Sequence, residues 1–144
     1  MAKGSIGTVA QVIGPVLDIK FAAGELPQLR SAIEVGSGEK KLVVEVAQHV
    51  GDDVVRCIAM SSTDGLTRGA KAVDTGSSIT VPVGEKTLGR IFNLLGEPGD
   101  NLPAPQDVER WAIHRDAPTY DEQETTAEFL DTGIKVVALI APNA

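Results

Sequence analysis

The fold is decided first by residues 15–21, PVLDIKF. Leu17, Ile19 and Phe21 fall on one face of an extended chain, and the two charged residues between them fall on the other. Because successive side chains of a strand point to opposite faces, this period of two predicts a half-buried β-strand. One face of that strand packs against a core and the other meets water.

Working outward, short alternating segments separated by turn signals predict five further strands. A strand at residues 7–14 joins the first one through Gly14-Pro15, and Gly36 to Glu39 forms a hairpin-like turn. The other four strands are predicted at residues 31–35, 41–50, 54–60 and 78–83.

One strand shows an irregular period. Near Gln48 the alternation slips, which indicates either a bulge or the end of the strand. The strand places four apolar side chains on its predicted inner face: Leu42, Val44, Val46 and Val50. Six short strands in about eighty residues are typical of a small barrel or sandwich. A closed barrel is favoured because closure removes sheet edges that invite aggregation.

The stretch VPVGEKTLGRIFNLLGEP, residues 81–98, separates this strand-rich half from a sparser one. Pro82 lacks a backbone donor, which marks a strand end or a sheet edge. The apolar residues from Leu88 to Leu95 fit a strand or a short helix. This seam divides the chain into a barrel domain at residues 1–82 and a second segment at residues 83–144.

The second segment carries few signals of regular structure. Trp111 could anchor a partner surface, but an ordinary core role is the first prediction. A cap at Thr125 or Thr126 predicts a helix through Glu128. Residues 134–141, IKVVALIA, fit a helix or a strand equally. Ile134, Val137 and Ala141 would share one helical face, whereas the β-branched content suits a strand.

Composition excludes several classes of partner. A net charge of −7 argues against nucleic acid, whose phosphates attract clustered Lys and Arg. No run of about eighteen apolar residues is present, and the first residues lack the apolar core of a secretory signal. We therefore expect a cytoplasmic protein without direct membrane insertion. The one cysteine, Cys57, allows no internal disulfide.

Candidate chemistry in the sequence is sparse. Gly84-Glu85-Lys86-Thr87 resembles the end of a phosphate-binding loop, but the first glycine is missing and a carboxylate intervenes, so we predict a turn. His49, His114 and Cys57 are too few and too dispersed for a zinc site. Arg56 interrupts an apolar strand and is expected to pair with a carboxylate. We assign no catalytic, cofactor-binding or metal-binding residues.

Several motifs in register resemble one family along nearly the whole chain. The longest is GTVAQVIGPVLDIKF at residues 7–21, and the seam is similar to that family's junction between barrel and nucleotide domain. The other motifs are Leu42 to Val50, Val55 to Met60, Ser62 to Leu66, Glu109 to Arg115 and Thr132 to Val137. On these motifs the chain resembles the catalytic beta subunit of F-type, rotary and proton-translocating, ATP synthase.

The resemblance implies a mainly β fold, with a six-stranded N-terminal barrel followed by the incomplete start of a RecA-like α/β nucleotide-binding domain. The full-length family binds MgATP or MgADP, couples proton transport to ATP synthesis or hydrolysis, and is peripheral to a membrane. Its phosphate-binding loop follows the segment matching residues 134–142, and the present sequence ends before it. We therefore expect no nucleotide site and no activity from this polypeptide alone. Its own role would be assembly of an alternating ring with alpha-type subunits through the barrel.

Other interpretations stay open at this stage. The chain could be a naturally short paralogue that serves as a structural or regulatory binding module. A nucleic-acid-binding barrel is disfavoured by charge and by the lack of stacking aromatics. Residues 83–144 also carry apolar side chains that would normally pack on a sheet: Ile91, Leu94, Leu95, Val136, Val137, Leu139 and Ile140. Three outcomes stay open for residues 96–144: the segment is mobile, it docks loosely, or it buries these side chains by self-association.

Overall fold

Six antiparallel strands close into a barrel in the computed structural model, which describes residues 4–36, 41–123, 126 and 131–141. The strands are β1 (Ile6–Ile13), β2 (Val16–Lys20), β3 (Ser31–Val35), β4 (Leu42–Gly51), β5 (Val54–Ala59) and β6 (Lys71–Ser78). Their order around the barrel is β1-β2-β5-β4-β3-β6, and β6 closes it by pairing with both β3 and β1. The predicted mainly β fold with a closed six-stranded barrel is confirmed.

The barrel interior is filled by small aliphatic side chains from alternate positions. Leu17 and Ile19 of β2 are fully buried, and they register opposite Cys57 and Val55 of β5. The other buried members of this core are Val9, Phe21, Ile33, Val35, Leu42, Val44, Val46 and Ala72. Every second side chain of a strand such as β2 therefore faces the core, as the sequence predicted.

Two strand connections use backbone conformations that suit tight hairpins. Gly14 links β1 to β2 with a φ of 56°, and Asp52 and Asp53 link β4 to β5 with φ of 51° and 61°. Two-residue hairpins favour positive φ at the first central position, as at Gly14 before Pro15, or at both, as at Asp52 and Asp53. Asp tolerates positive φ better than most residues. The predicted turn at Gly36 to Glu39 includes residues 37–39, which lie outside the described part of the chain.

The irregular period in β4 is a bulge. Its pairing with β5 shifts register between Val46 and Gln48, and again between His49 and Gly51. The prediction that Val50 faces inward is wrong, because Val50 follows the shift and is 49% exposed. An inserted residue rotates the rest of the strand, so alternation counted from Leu42 no longer applies.

The sixth barrel strand was predicted at the wrong place. The strand that closes the barrel is β6, whereas residues 80–83 form β7 (Thr80–Val83), which pairs with β8 (Glu109–Ala112) in a separate two-stranded ribbon. The sequence of β6, KAVDTGSS, is polar and contains a glycine, and Ala72 is its one buried residue. The sequence of β6 therefore lacks alternation of apolar and polar residues. Residues 78–83 do alternate in this way, and for that reason the sixth strand was predicted there.

A long connection joins the two strands of the ribbon. It starts with a single 3₁₀ turn, Glu85–Thr87, and continues irregularly to residue 108. Residues 88–95 form neither the strand nor the helix that their apolar spacing allowed. Trp111 lies in β8 and is 42% exposed, so its predicted core role is wrong.

The chain divides into two compact units, Met1–His114 and Arg115–Ala144. The second unit has a 3₁₀ turn, Tyr120–Glu122, with Thr119 and Glu122 forming a reciprocal capping box, and a short helix α1 (Lys135–Ile140). The ambiguous segment is thus helical over Lys135–Ile140. The helix predicted through Glu128 falls on residues outside the described ranges, and the division between residues 82 and 83 stays a prediction.

Candidate interaction surface

The phosphate-like sequence of the seam, residues 84–87, is a turn whose polar side chains donate to backbone carbonyls. The Thr87 hydroxyl donates to the Gly84 carbonyl at 2.6 Å. The Lys86 ammonium donates to the backbone carbonyl of Gln106 at 2.9 Å and, more weakly, to that of Asp107 at 3.4 Å. A phosphate cradle needs successive N–H groups and a lysine directed at the ligand. In this turn the Lys86 ammonium is directed at backbone carbonyls instead.

The two histidines have different hydrogen-bond partners. Nε2 of His49 lies 2.7 Å from the Pro27 carbonyl, so this nitrogen carries the proton and donates. Nε2 of His114 lies 3.0 Å from a Glu45 carboxylate oxygen. Among the residues that the structure describes, no three His, Cys, Asp or Glu side chains gather as a metal site would require.

The cysteine is a core residue. Cys57 is fully buried on the inner face of β5, and this burial raises the pKa of its thiol to about 12. The nucleophilic form of cysteine is the thiolate, which desolvation disfavours. Cys57 is therefore an inert packing residue.

A cavity of about 880 Å³ opens at one end of the barrel and has a hydroxyl-rich lining that includes Ser61, Ser62 and Thr63. The Ser62 hydroxyl donates to the Asp64 carboxylate at 2.7 Å. Activation of a serine requires a neighbouring base that removes its proton, usually a histidine. Neither histidine lines this cavity, so the lining shows no nucleophilic chemistry.

Arg56 pairs with Asp18, as the sequence predicted. The two residues are directly opposite on β5 and β2, and the guanidinium donates to both carboxylate oxygens at 2.8 and 3.0 Å. These hydrogen bonds lower the pKa of Asp18 and raise that of Arg56. The bidentate geometry fixes two side chains on the outer barrel wall.

A second arginine, which the sequence analysis did not single out, organises the seam. Arg90 donates to both carboxylate oxygens of Asp100 and also to the Pro103 carbonyl at 2.9 Å. Its guanidinium stacks 5.6 Å from the Phe92 ring centroid. Hydrogen bonds from Arg90 hold the pKa of Asp100 far below its usual range. The signal was present in the sequence, because Arg90, like Arg56, interrupts an apolar run and so needed a carboxylate.

Asn93 fixes the next turn of the same connection. Its side-chain oxygen accepts from the backbone N–H of Leu95 at 3.0 Å and of Glu97 at 2.9 Å, and its amide donates to the Glu97 carboxylate at 2.7 Å. Asparagine commonly replaces backbone partners in this way. The conformation of the connection is thus fixed by hydrogen bonds rather than by burial of apolar side chains.

The connection presents apolar side chains outward. We call the following four residues the loop surface: Leu88 (78% exposed), Ile91 (66%), Leu94 (50%) and Leu102 (55%). Large apolar side chains on a framed loop are typical of a surface that packs against something else.

A smaller apolar row lies on the outer wall of the barrel. Ile13, Val16 and Ile58 are neighbours across β1, β2 and β5, because Ile13 registers with Val16 and Val16 with Ile58. Ile13 is 55% exposed, Ile58 is 46% exposed and Val16 is half-buried. We call these three residues the barrel patch.

The second unit also exposes apolar side chains. Val136, Leu139 and Ile140 of α1 are 66%, 84% and 77% exposed. None of the helices within the described residues has the length and apolar character needed to cross a bilayer.

The barrel corresponds to a known family. Residues 9–76 match the family model for the ATP synthase alpha/beta family, beta-barrel domain. The matched range begins within β1 and ends within β6, so it covers the strands that close the barrel. Residues 9–76 are therefore similar to the beta-barrel domain of that family.

Proposed function

We propose that this chain is the N-terminal part of a beta subunit of F-type ATP synthase, and that its own work is ring assembly with alpha-type subunits. The observation that carries the proposal is the match of residues 9–76 to the family's beta-barrel domain, on strands that close into a barrel. Closed barrels leave no unpaired strand edges, so barrel contacts must come from outward side chains. The longer relative would synthesise or hydrolyse ATP with proton transport.

The contact we propose for an alpha-type neighbour is the barrel patch. Its side chains come from three adjacent strands whose register is fixed, so they form one rigid apolar row. The ion pair of Asp18 and Arg56 flanks this row on β2 and β5. An apolar centre with a polar rim is the usual organisation of a protein–protein interface.

The test is co-purification of this chain with an alpha-type subunit of the family, followed by titration of the pair. Ile13→Glu should weaken the association by tenfold or more, because it places a charge within the apolar contact. Ile6→Glu is the matched control, since Ile6 is 53% exposed at the other end of the same strand. Equal loss in both variants, or no association of the unmodified chain, would contradict the proposal and favour a short paralogue with another partner.

We further propose that this polypeptide binds no MgATP or MgADP by itself. The argument is that Lys86 already donates to two backbone carbonyls and that Glu85 beside it would repel phosphate. Calorimetry with MgATP should give no heat of binding. Micromolar affinity for MgATP would contradict this part of the proposal and would not bear on ring assembly.

The location we propose is the cytoplasm, with attachment to the membrane only through other subunits of the assembled enzyme. A net charge of −7 argues against both anionic lipid surfaces and nucleic acid as direct partners. Fractionation after co-expression tests this proposal. The chain should move to the membrane fraction only when the remaining subunits are present.

A further inference from the structure

The ribbon formed by β7 and β8 has two outer edges, and its hydrogen-bond phase shows which groups face outward. The Ile113 N–H donates to the Ile79 carbonyl at 3.0 Å, so residues 79 and 113 form a hydrogen-bonded pair. Such pairs alternate along an antiparallel ladder. Thr80 and Pro82 of β7, and Arg110 and Ala112 of β8, therefore direct their backbone groups away from the ribbon.

The outer edge of β7 is closed. Pro82 occupies an outward position and has no N–H to offer there. The guanidinium of Arg110 donates to the other outward carbonyl, that of Thr80, at 2.7 Å. The loop also packs on this edge, since a β-carbon added at Gly96 would lie 2.5 Å from Cδ of Pro82. No further strand can pair with β7.

The outer edge of β8 is open by comparison. Within the described part of the chain, the outward N–H and C=O groups of Arg110 and Ala112 have no backbone hydrogen bond outside the ladder. Arg110 and Trp111 are exposed and Ala112 is half-buried. Unpaired groups on a strand edge are a template for another strand.

We propose that two copies of this chain pair through their β8 strands, antiparallel about a two-fold axis at Trp111. The edge is self-complementary in this register, because Arg110 of one copy faces Ala112 of the other and both direct their N–H and C=O groups to the partner. Four hydrogen bonds then join the copies in a four-stranded sheet of order β7-β8-β8-β7. This surface is separate from the barrel patch, so the inference does not rest on the proposed function.

The two-fold axis places the two Trp111 side chains as direct neighbours. Trp111 becomes a non-hydrogen-bonded pair with its counterpart, the arrangement in which opposite side chains are closest. Ile113, which is 36% exposed, lies on the same face of β8 as Trp111. Since few residues carry the contact and each chain has a net charge of −7, we expect a weak dimer that salt strengthens.

Cysteine cross-linking tests the register. Trp111→Cys should give a disulfide-linked dimer with oxidised glutathione, because the two Cα atoms would be about 4.5 Å apart, within reach of a disulfide. Glu109→Cys alone should not cross-link, since residue 109 faces residue 113 and lies about 13 Å along the strand from its own counterpart. A mixture of Glu109→Cys and Ile113→Cys chains should cross-link. The native Cys57 is fully buried and does not interfere.

Light scattering and tryptophan fluorescence over a concentration series complete the test. Trp111 is the single tryptophan, so its emission reports dimer formation directly. Ala112→Pro should raise the dissociation constant by about tenfold or more, because it removes the outward N–H and spares the ladder to β7. Ala112→Val keeps that N–H and is the control. A strictly monomeric chain, or equal cross-linking of Trp111→Cys and Glu109→Cys alone, overturns the proposal.

Discussion

The barrel and the long connection between β7 and β8 are held together by different forces. The barrel buries a contiguous aliphatic core and satisfies its backbone through strand pairing. The connection keeps Leu88 and Ile91 largely exposed and is fixed by Arg90, Asp100 and Asn93 instead. Burial is nondirectional and cooperative, whereas each hydrogen bond of the connection positions one short segment. A substitution in the barrel core should therefore destabilise the whole barrel. A substitution in the connection should loosen only the segment around it.

The largest expected effect is loss of a core side chain from the barrel. Leu17→Ala should lower the free energy of unfolding by about 2–5 kcal/mol, because the side chain is fully buried and its removal leaves a cavity. Urea denaturation followed by circular dichroism measures the change. Leu88→Ala is the control, since Leu88 is 78% exposed, and its effect should be near zero. Comparable losses in the two variants would contradict the division into a buried core and an exposed loop surface.

Loss of Arg90 should have a smaller and local effect. Arg90→Met keeps an apolar stem but removes the donors to Asp100 and Pro103. We expect faster amide hydrogen exchange at Leu102, whose N–H donates to Asp100, with little change in the barrel strands. Arg68→Met, an exposed change outside the connection, is the control. Uniformly faster exchange throughout the barrel would show that the two regions are not independent.

The same contrast explains how far the sequence predicted the structure. Strands such as β2 were found because alternation is a direct consequence of burying one face. The inward placement of Val50 failed because a bulge shifted the register, and β6 was missed because a polar strand leaves no apolar period. Tertiary pairing, not local pattern, makes β6 a strand.

The candidate surfaces were predicted less completely than the barrel. Pairing of Arg56 was predicted because a charge in an apolar strand requires a partner, and the same argument applied to Arg90 was overlooked. The open edge of β8 had no signal in the local sequence. It depends on which residues of β8 direct their backbone groups toward β7 and which direct them outward. Those directions are set by the register between Val81 and Trp111, which are separated by the whole connection.

The smallest expected effect concerns the ion pair on the barrel wall and its dependence on pH. The hydrogen bonds from Arg56 lower the pKa of Asp18, so the folded state favours the ionised carboxylate. Its contribution to stability is therefore present above the ordinary carboxyl pKa near 4 and is lost as the pH falls through the lowered value. Because the Arg56 side chain is 42% exposed, solvent screens the pair and the effect is modest.

Urea midpoints measured from pH 7 down to pH 2 would isolate this contribution. Asp18→Asn should make the acid limb of the stability profile slightly shallower, with Asp100 still contributing to it, and should change stability at neutral pH far less than Leu17→Ala does. Glu25→Gln removes an exposed carboxylate from the loop after β2 and should leave the acid limb steeper than Asp18→Asn does. If the Asp18→Asn profile retained the full acid limb, the ion pair would contribute nothing measurable to the free energy of unfolding. The acid sensitivity would then come from other carboxylates.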